Sequence, residues 1–165
     1  MSKSEQNLKD AFAGESQANR KYLAFAKKAE SEGFIQAARM FRAAAEAETI
    51  HAHNHLRALG GIHATADNLR EAIAGETFEF KSMYPDMIRA AEEEGNAAAL
   101  RSFRLANDVE KVHAELYTKV LDSMAAPGEP FDYWVCSVCG HTVERNAPER
   151  CEICGVAASA FFRVE

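Results

Sequence analysis

The segment Glu48-Thr49-Ile50-His51 recurs as Glu110-Lys111-Val112-His113, 62 residues further along the chain. Residues three apart are neighbours on a helix, so each segment places a carboxylate and an imidazole on one helix face. Alanine and valine residues flank both segments, which predicts that this face points inward. A buried carboxylate without a partner is costly or takes up a proton, so a compensating charge is expected beside each segment.

Both segments lie in a region of strong helix formers that runs from Ser4 to about Ala126. Glycine turns divide this region into four long segments. The predicted helices span residues 4–31, 34–59, 66–94 and 96–125. Such lengths, joined by short turns at Gly33 and Gly95, predict a bundle of antiparallel helices. The longer middle connection leaves open an exchange of helices between two subunits.

The 62-residue repeat extends beyond the two segments and predicts approximate two-fold symmetry of the bundle. Tyr22 and Tyr84 obey the same offset, whereas Glu15 and Glu76 are offset by 61. The third helix therefore holds one extra residue between Glu76 and Tyr84. We expect this residue to form a π-bulge that lets Glu79 reach the site as well as Glu76.

The carboxylates and imidazoles together match the ligand pattern of di-iron and di-manganese bundles. One glutamate comes from each of two helices, and a Glu-x-x-His pair comes from each of the other two. The predicted metal ligands of the bundle are Glu15, Glu48, His51, Glu76, Glu79, Glu110 and His113. The five carboxylates carry a charge of −5, which two divalent ions would largely neutralise. The alternative is that these residues lie on solvated helix faces.

Two tyrosines accompany the predicted ligands. Tyr22 and Tyr84 are expected to donate hydrogen bonds to site carboxylates and to take part in catalysis with Glu79 and His51. The alternative is that both tyrosines only fill the core.

The four cysteines form a second predicted metal site, Cys136, Cys139, Cys151 and Cys154. Two Cys-x-x-Cys-Gly turns present four thiolates tetrahedrally, and zinc and a single iron fit equally well. Disulfides are the alternative. His141 is expected at the surface rather than as a ligand, while Tyr133, Trp134 and Phe161 are expected to cover the site. The Pro-containing stretch 125–130 predicts a linker, which gives a bundle domain at 1–126 and a small domain at 127–165.

Composition excludes several classes of protein. The chain has 165 residues, 47% hydrophobic and 27% charged, with a net charge of −6, as in an ordinary globular protein. An acidic balance argues against nucleic-acid binding. An apolar stretch long enough for a membrane span is missing, as is a signal-peptide pattern, so the cytoplasm is the expected location.

The whole chain resembles the rubrerythrins, which join a ferritin-like di-iron bundle to a rubredoxin-like domain. The resemblance rests on Gly14-Glu15-Ser16-Gln17-Ala18, Gly75-Glu76-x-x-Glu79, Met83-Tyr84-Pro85, both Glu-x-x-His pairs and both cysteine turns. It implies an all-α four-helix bundle followed by a small β domain.

The resemblance also implies a role for each ligand. Glu48 and Glu110 would bridge two irons. Glu15 and Glu79 would be terminal on one iron, and Glu76 and His113 on the other. His51 would replace Glu79 on reduction. Glu152, Ala157 and His141 depart from the residues common in rubredoxin-like domains, which affects the expected potential and reductase partner but not the ligands.

The activity implied is reduction of hydrogen peroxide, with electrons passing through an Fe(Cys)₄ site, usually across a homodimer, as protection against oxidative stress. The chain carries no dinucleotide-binding fingerprint, so NAD(P)H would act through a separate, rubredoxin-type reductase. Two alternatives remain at this point: a ferroxidase or iron-handling protein with the same fold, and a zinc-ribbon adaptor without redox function.

Overall fold

The computed structural model describes residues 2–126 and 128–164. Part of the predicted linker, at Pro127, lies outside the described residues. The chain divides into two compact units, one ending at His63 and the other beginning at Ala64. No described helix is long and apolar enough to cross a membrane.

The first unit is a hairpin of two long helices, α1 (Lys3–Ser31) and α2 (Ile35–Ala58). The turn between them needs a glycine, because Gly33 has a φ of 82°. Small buried residues let the two helices approach closely; these are Ala26, Ala29, Ala38, Ala45 and Ala52. Arg42 of α2 also pairs with Glu30 of α1, with Nη1 3.2 Å from Oε2.

The second unit begins with a helix that contains the predicted π segment. It runs as α3 (Thr65–Phe78), a π segment (Glu79–Met83) and α4 (Tyr84–Glu93). The Tyr84 N–H donates to the Glu79 carbonyl, five residues earlier, which is the hydrogen bond of a π turn. The predicted π-bulge is therefore confirmed. It accommodates the extra residue, so the helix continues across the position where the repeat changes its offset.

A second hairpin forms between this helix and α5 (Ala97–Ser123), and it repeats features of the first. Gly95 has a φ of 67° at the turn. The side chain of Asn96 accepts a hydrogen bond from the Ala99 N–H and caps α5, which is why this helix begins later than predicted. Arg104 pairs with Glu92, which corresponds to the pair of Arg42 with Glu30 after the 62-residue offset.

The small domain is a three-stranded antiparallel sheet within the second unit. Its strands are β1 (Tyr133–Cys136), β2 (Thr142–Glu144) and β3 (Phe161–Val164), in the order β2-β1-β3. Cys136, Cys151 and Phe161 form its buried core, with Trp134 packed against them. Trp134 and Phe161 thus lie beside the cysteines as predicted, so the packing of this domain is built around the thiols.

Candidate metal sites

The first unit brings together three predicted ligands. Donor atoms of Glu15, Glu48 and His51 all lie within 4.8 Å of one another. Nδ1 of His51 is 2.8 Å from Oε2 of Glu48, so the Glu-x-x-His spacing produces the contact that it predicts. Two carboxylates and an imidazole suit a divalent transition metal, and these residues therefore fit an iron ligand set.

A buried asparagine holds the two helices in place beside this cluster. The side-chain amide of Asn19 donates to the Ala45 carbonyl at 2.8 Å and to Oγ1 of Thr49 at 2.9 Å. Asn19 lies one helical turn after Glu15, and Thr49 directly follows Glu48. The bonds fix α1 against α2 at the level of the ligands. The sequence analysis missed this role, because no periodicity distinguishes a core asparagine from a surface one.

The second unit contains a matching cluster of Glu76, Glu110 and His113, whose donor atoms also lie within 4.8 Å of one another. Nδ1 of His113 is 2.8 Å from Oε2 of Glu110 and 3.8 Å from Oε1 of Glu76. All three side chains are at least half-buried, with exposed fractions of 15–26%. The same donor types at the same spacing again fit a divalent metal.

Electrostatics in this cluster favour a compensating positive charge. Burial, followed by the charges of Glu110 and Glu79, raises the pKa of Glu76 from 4.5 to about 7, although His113 opposes the shift. The Glu76 carboxylate therefore resists ionisation beside Glu110 and Glu79. Such a raised pKa is expected where several carboxylates are arranged to bind a cation.

Glu79 and Tyr84 lie beside the second cluster without being part of it. Burial raises the pKa of Glu79, and the nearby charge of Glu110 raises it as well, whereas His113 lowers it. The pKa of Tyr84 is raised by burial and by Glu110, Glu79 and Glu76. Its ring packs on Phe103, with centroids 6.3 Å apart.

The predicted hydrogen bonds of the tyrosine hydroxyls are not found within either unit: among the described residues, neither Tyr22 nor Tyr84 donates to a carboxylate of its own unit. The Tyr22 ring packs instead on Phe25 and Phe41, with centroids 6.4 and 6.2 Å apart. The contacts described for Tyr22 and Tyr84 are therefore those of the alternative, in which both rings pack in the core.

The four cysteines converge as predicted. Their sulfur atoms lie within 4.8 Å of one another, and all four thiols are free. Sγ of Cys136 is 3.7 Å from that of Cys154, and Sγ of Cys139 is 3.5 Å from that of Cys151. Metal–sulfur bonds of about 2.3 Å separate the sulfurs of a tetrahedral site by about 3.8 Å, so these thiols fit a tetrahedral metal.

The two cysteine turns have the same backbone geometry. The N–H of Gly140 donates to the Cys136 carbonyl, and the N–H of Gly155 donates to the Cys151 carbonyl, both at 2.9 Å. These glycines have φ values of 85° and 77°, which few other residues adopt. The repeated turn explains why glycine follows the second cysteine of each pair.

The thiols of this cluster differ in acidity. Burial favours the neutral form of Cys136, but the N–H groups of Val138 and Cys139 and the thiol of Cys154 outweigh it and lower its pKa to about 7. Burial raises the pKa of Cys139 and of Cys154. Several thiols packed together therefore do not ionise readily without a cation among them.

The prediction that His141 lies at the surface is wrong. It is 3% exposed, its ring packs edge-on to Phe161, and burial lowers its pKa. It is not a member of the ligand cluster. The prediction failed because the residue after Gly140 turns into the core of the small domain, which a pattern of cysteines does not reveal.

These observations define a class: a helical carboxylate protein with an appended four-cysteine metal domain. The family model "Rubrerythrin" matches residues 6–121, and the model "Rubrerythrin, rubredoxin-like domain" matches residues 134–162. The chain belongs to the rubrerythrin family. It has the predicted ferritin-like and rubredoxin-like fold class.

Relatives match over most of the chain. Nigerythrin from Nitratidesulfovibrio vulgaris is 37% identical over 163 residues, covering 90% of this chain and 80% of its own. Rubrerythrin from Porphyromonas gingivalis is 37% identical over 172 residues, covering 93% and 86%. A solved structure titled "Fully reduced state of nigerythrin (all ferrous)" has a TM-score of 0.60 at 34% identity, and it covers 99% of this chain and 88% of its own.

Proposed function

We propose that this protein is a non-haem di-iron peroxidase that reduces hydrogen peroxide to water. The observation that carries the proposal is the pair of matching carboxylate–imidazole clusters, one in each helical hairpin, in a chain that also gathers four thiols. When bound, a di-iron centre supplies the two electrons that cleave the O–O bond of peroxide. The reaction consumes two electrons and two protons for each peroxide and forms two waters.

Each ligand has a distinct part in this proposal. Glu48 and Glu110 would be shared by the two irons, with Glu15 and Glu79 as further ligands of one of them. Glu76 and His113 would be the further ligands of the other. The contacts within each cluster support two parts of this proposal, because Glu15 lies with Glu48 and His51, and Glu76 lies with Glu110 and His113.

Glu79 and His51 are proposed to exchange as ligands on reduction. Two observations support the exchange. Glu79 lies near Glu110 and His113 but outside their cluster, at the start of the π segment, where the backbone departs from α geometry. His51 is held at 2.8 Å from Glu48 although its side chain is 54% exposed, so its ring has room to move.

The four thiolates are proposed to hold an iron that relays electrons to the di-iron centre. Soft thiolates suit a metal that transfers electrons, and hard carboxylates suit the metals that would react with peroxide. The electrons come from a rubredoxin-type reductase that uses NAD(P)H. We further propose a cytoplasmic homodimer that protects against oxidative stress, with a domain boundary between residues 126 and 127.

Anaerobic metal analysis and peroxide titration of the reduced full-length protein test the proposal. We expect three irons per chain, a red Fe(III)(Cys)₄ spectrum after oxidation, and faster steady-state turnover with peroxide than with oxygen. Faster turnover with oxygen and Fe(II) would instead identify a ferroxidase. A colourless protein with zinc at the thiols and no turnover would identify an adaptor.

A further inference from the structure

A threonine of the small domain contacts a predicted metal ligand of α5. Nε2 of His113 lies 3.0 Å from Oγ1 of Thr142, which is on β2 of the same unit. The other ring nitrogen, Nδ1, lies 2.8 Å from Glu110. One edge of the imidazole therefore meets the carboxylate cluster, while the opposite edge meets the sheet of the small domain.

The hydrogen-bond pattern fixes which nitrogen carries a proton. The Thr142 hydroxyl donates its single proton to the Gly140 carbonyl at 3.1 Å. It can therefore only accept from His113, so Nε2 is the donor in this contact. In the neutral imidazole, a proton on Nε2 leaves the lone pair of Nδ1 directed at the cluster, which is the tautomer that a metal on that side needs.

The sheet is held on α5 by more than this one bond. Nζ of Lys119 lies 2.9 Å from Oε2 of Glu144, two residues beyond Thr142. Gly140 faces Val109 of α5, whose Cγ1 would lie 3.8 Å from a Cβ built at the glycine. Val109 is fully buried. These contacts flank Thr142 on both sides and hold its hydroxyl at the imidazole.

We infer that Thr142 is a positioning residue: its hydroxyl orients His113 for metal binding and joins this ligand to the Cys139-Gly140 turn within one chain. The path from thiol to imidazole runs from Cys139 through the Gly140 carbonyl and the Thr142 hydroxyl to Nε2. This inference rests on the proposed metal site, but the hydrogen bond itself can be tested without loading that site.

The first measurement is the imidazole ¹H–¹⁵N spectrum of the full chain, with zinc at the cysteines and no metal at the carboxylates. We expect a slowly exchanging Nε2–H signal of His113 that persists in Thr142→Ser and is lost in Thr142→Val. Thr118→Val is the matched control, because the Thr118 hydroxyl donates to the Ala114 carbonyl of its own helix. An unchanged signal in Thr142→Val would overturn the inference.

The second measurement is Mn²⁺ affinity of the same zinc-loaded proteins, followed by EPR. Removal of a partner that orients a metal-ligating histidine typically costs about 10–100-fold in affinity. We expect a loss of at least about 10-fold for Thr142→Val and wild-type affinity for Thr142→Ser and Thr118→Val. Equal affinity in Thr142→Val would refute the positioning role. No Mn²⁺ binding by wild-type protein would refute the metal site, while the Nε2–H signal would still decide the role of Thr142.

Discussion

Glu30 on α1 and Arg42 on α2 form an ion pair at the turn end of the first hairpin, with 3.2 Å between Oε2 and Nη1. The second hairpin has the same pair in Glu92 and Arg104. The internal repeat of the sequence is thus expressed in side-chain contacts as well as in helix lengths. Both pairs join two helices, so they act on hairpin closure rather than on helix formation.

A double-mutant cycle of Glu30→Gln and Arg42→Gln is expected to give a coupling energy of about 0.2–1 kcal/mol, because both side chains are largely exposed. The same cycle on Glu92 and Arg104 should give a similar value. Chemical unfolding at low salt measures it, and 1 M salt should reduce it by screening. Coupling that is absent at low salt would show that the pairs do not hold the hairpins.

The acidity of Glu76 predicts how the stability of metal-free protein depends on pH. Its pKa is about 7 in the folded chain against an ordinary value of 4.5 for glutamate, so the folded state holds the proton more tightly. The stabilisation is complete below about pH 4.5 and is lost as the pH rises to about 7.

Glu76→Gln should therefore raise the free energy of unfolding at pH 8 in the presence of chelator, by about 1–2 kcal/mol after allowance for solvent screening. At pH 4.5 it should have little effect. Urea unfolding at the two pH values makes the comparison. The exposed Glu93→Gln serves as a control, and an equal effect of Glu76→Gln at both pH values would contradict the prediction.

Glu79→Ala is expected to retain the bound metals but to lose at least about 10-fold in peroxidase turnover, a barrier increase of about 1.4 kcal/mol. The reason is that Glu79 lies beside the second cluster rather than within it. Metal analysis and steady-state peroxide consumption measure the two effects. Glu71→Ala, on the exposed surface of the same helix, should change neither. Full activity of Glu79→Ala would rule out the ligand exchange.

Cys151→Ser is expected to remove one metal and the visible absorption from each chain while leaving the helices folded. Cys151 lies in the buried core of the small domain, and the contacts of α1 with α2 do not involve it. Circular dichroism and metal analysis test this, with the exposed Ser159→Ala as the control. Loss of helical signal in Cys151→Ser alone would show that the helices depend on the thiol site.

Local sequence patterns were sufficient for the contacts within each Glu-x-x-His and Cys-x-x-Cys segment and for the π segment. The Glu-x-x-His and Cys-x-x-Cys spacings act over one turn of backbone, so they bring His51 to Glu48 and Cys136 near Cys139 wherever the rest of the chain lies. The one-residue change of offset predicted the π turn because a helix has few ways to absorb an extra residue.

Contacts between distant segments could not be predicted in this way. His113 and Thr142 are 29 residues apart, and Asn19 and Ala45 are 26 residues apart. Both contacts depend on how whole elements pack, and neither threonine nor asparagine carries a sequence signal for a buried partner. His141 was misplaced for the same reason, since its burial follows from the path of the chain after Gly140.

The π segment accounts for a difference between the two helical hairpins, which are otherwise related by the 62-residue repeat. If the two hairpins arose by duplication of one ancestral hairpin, a single inserted codon between Glu76 and Tyr84 would account for the changed offset. The Glu92–Arg104 pair matches the Glu30–Arg42 pair of the first hairpin, because the π turn absorbs the extra residue locally. The second hairpin therefore has an additional carboxylate, at Glu79, where the first hairpin has Gln17 and Ala18 at the corresponding positions.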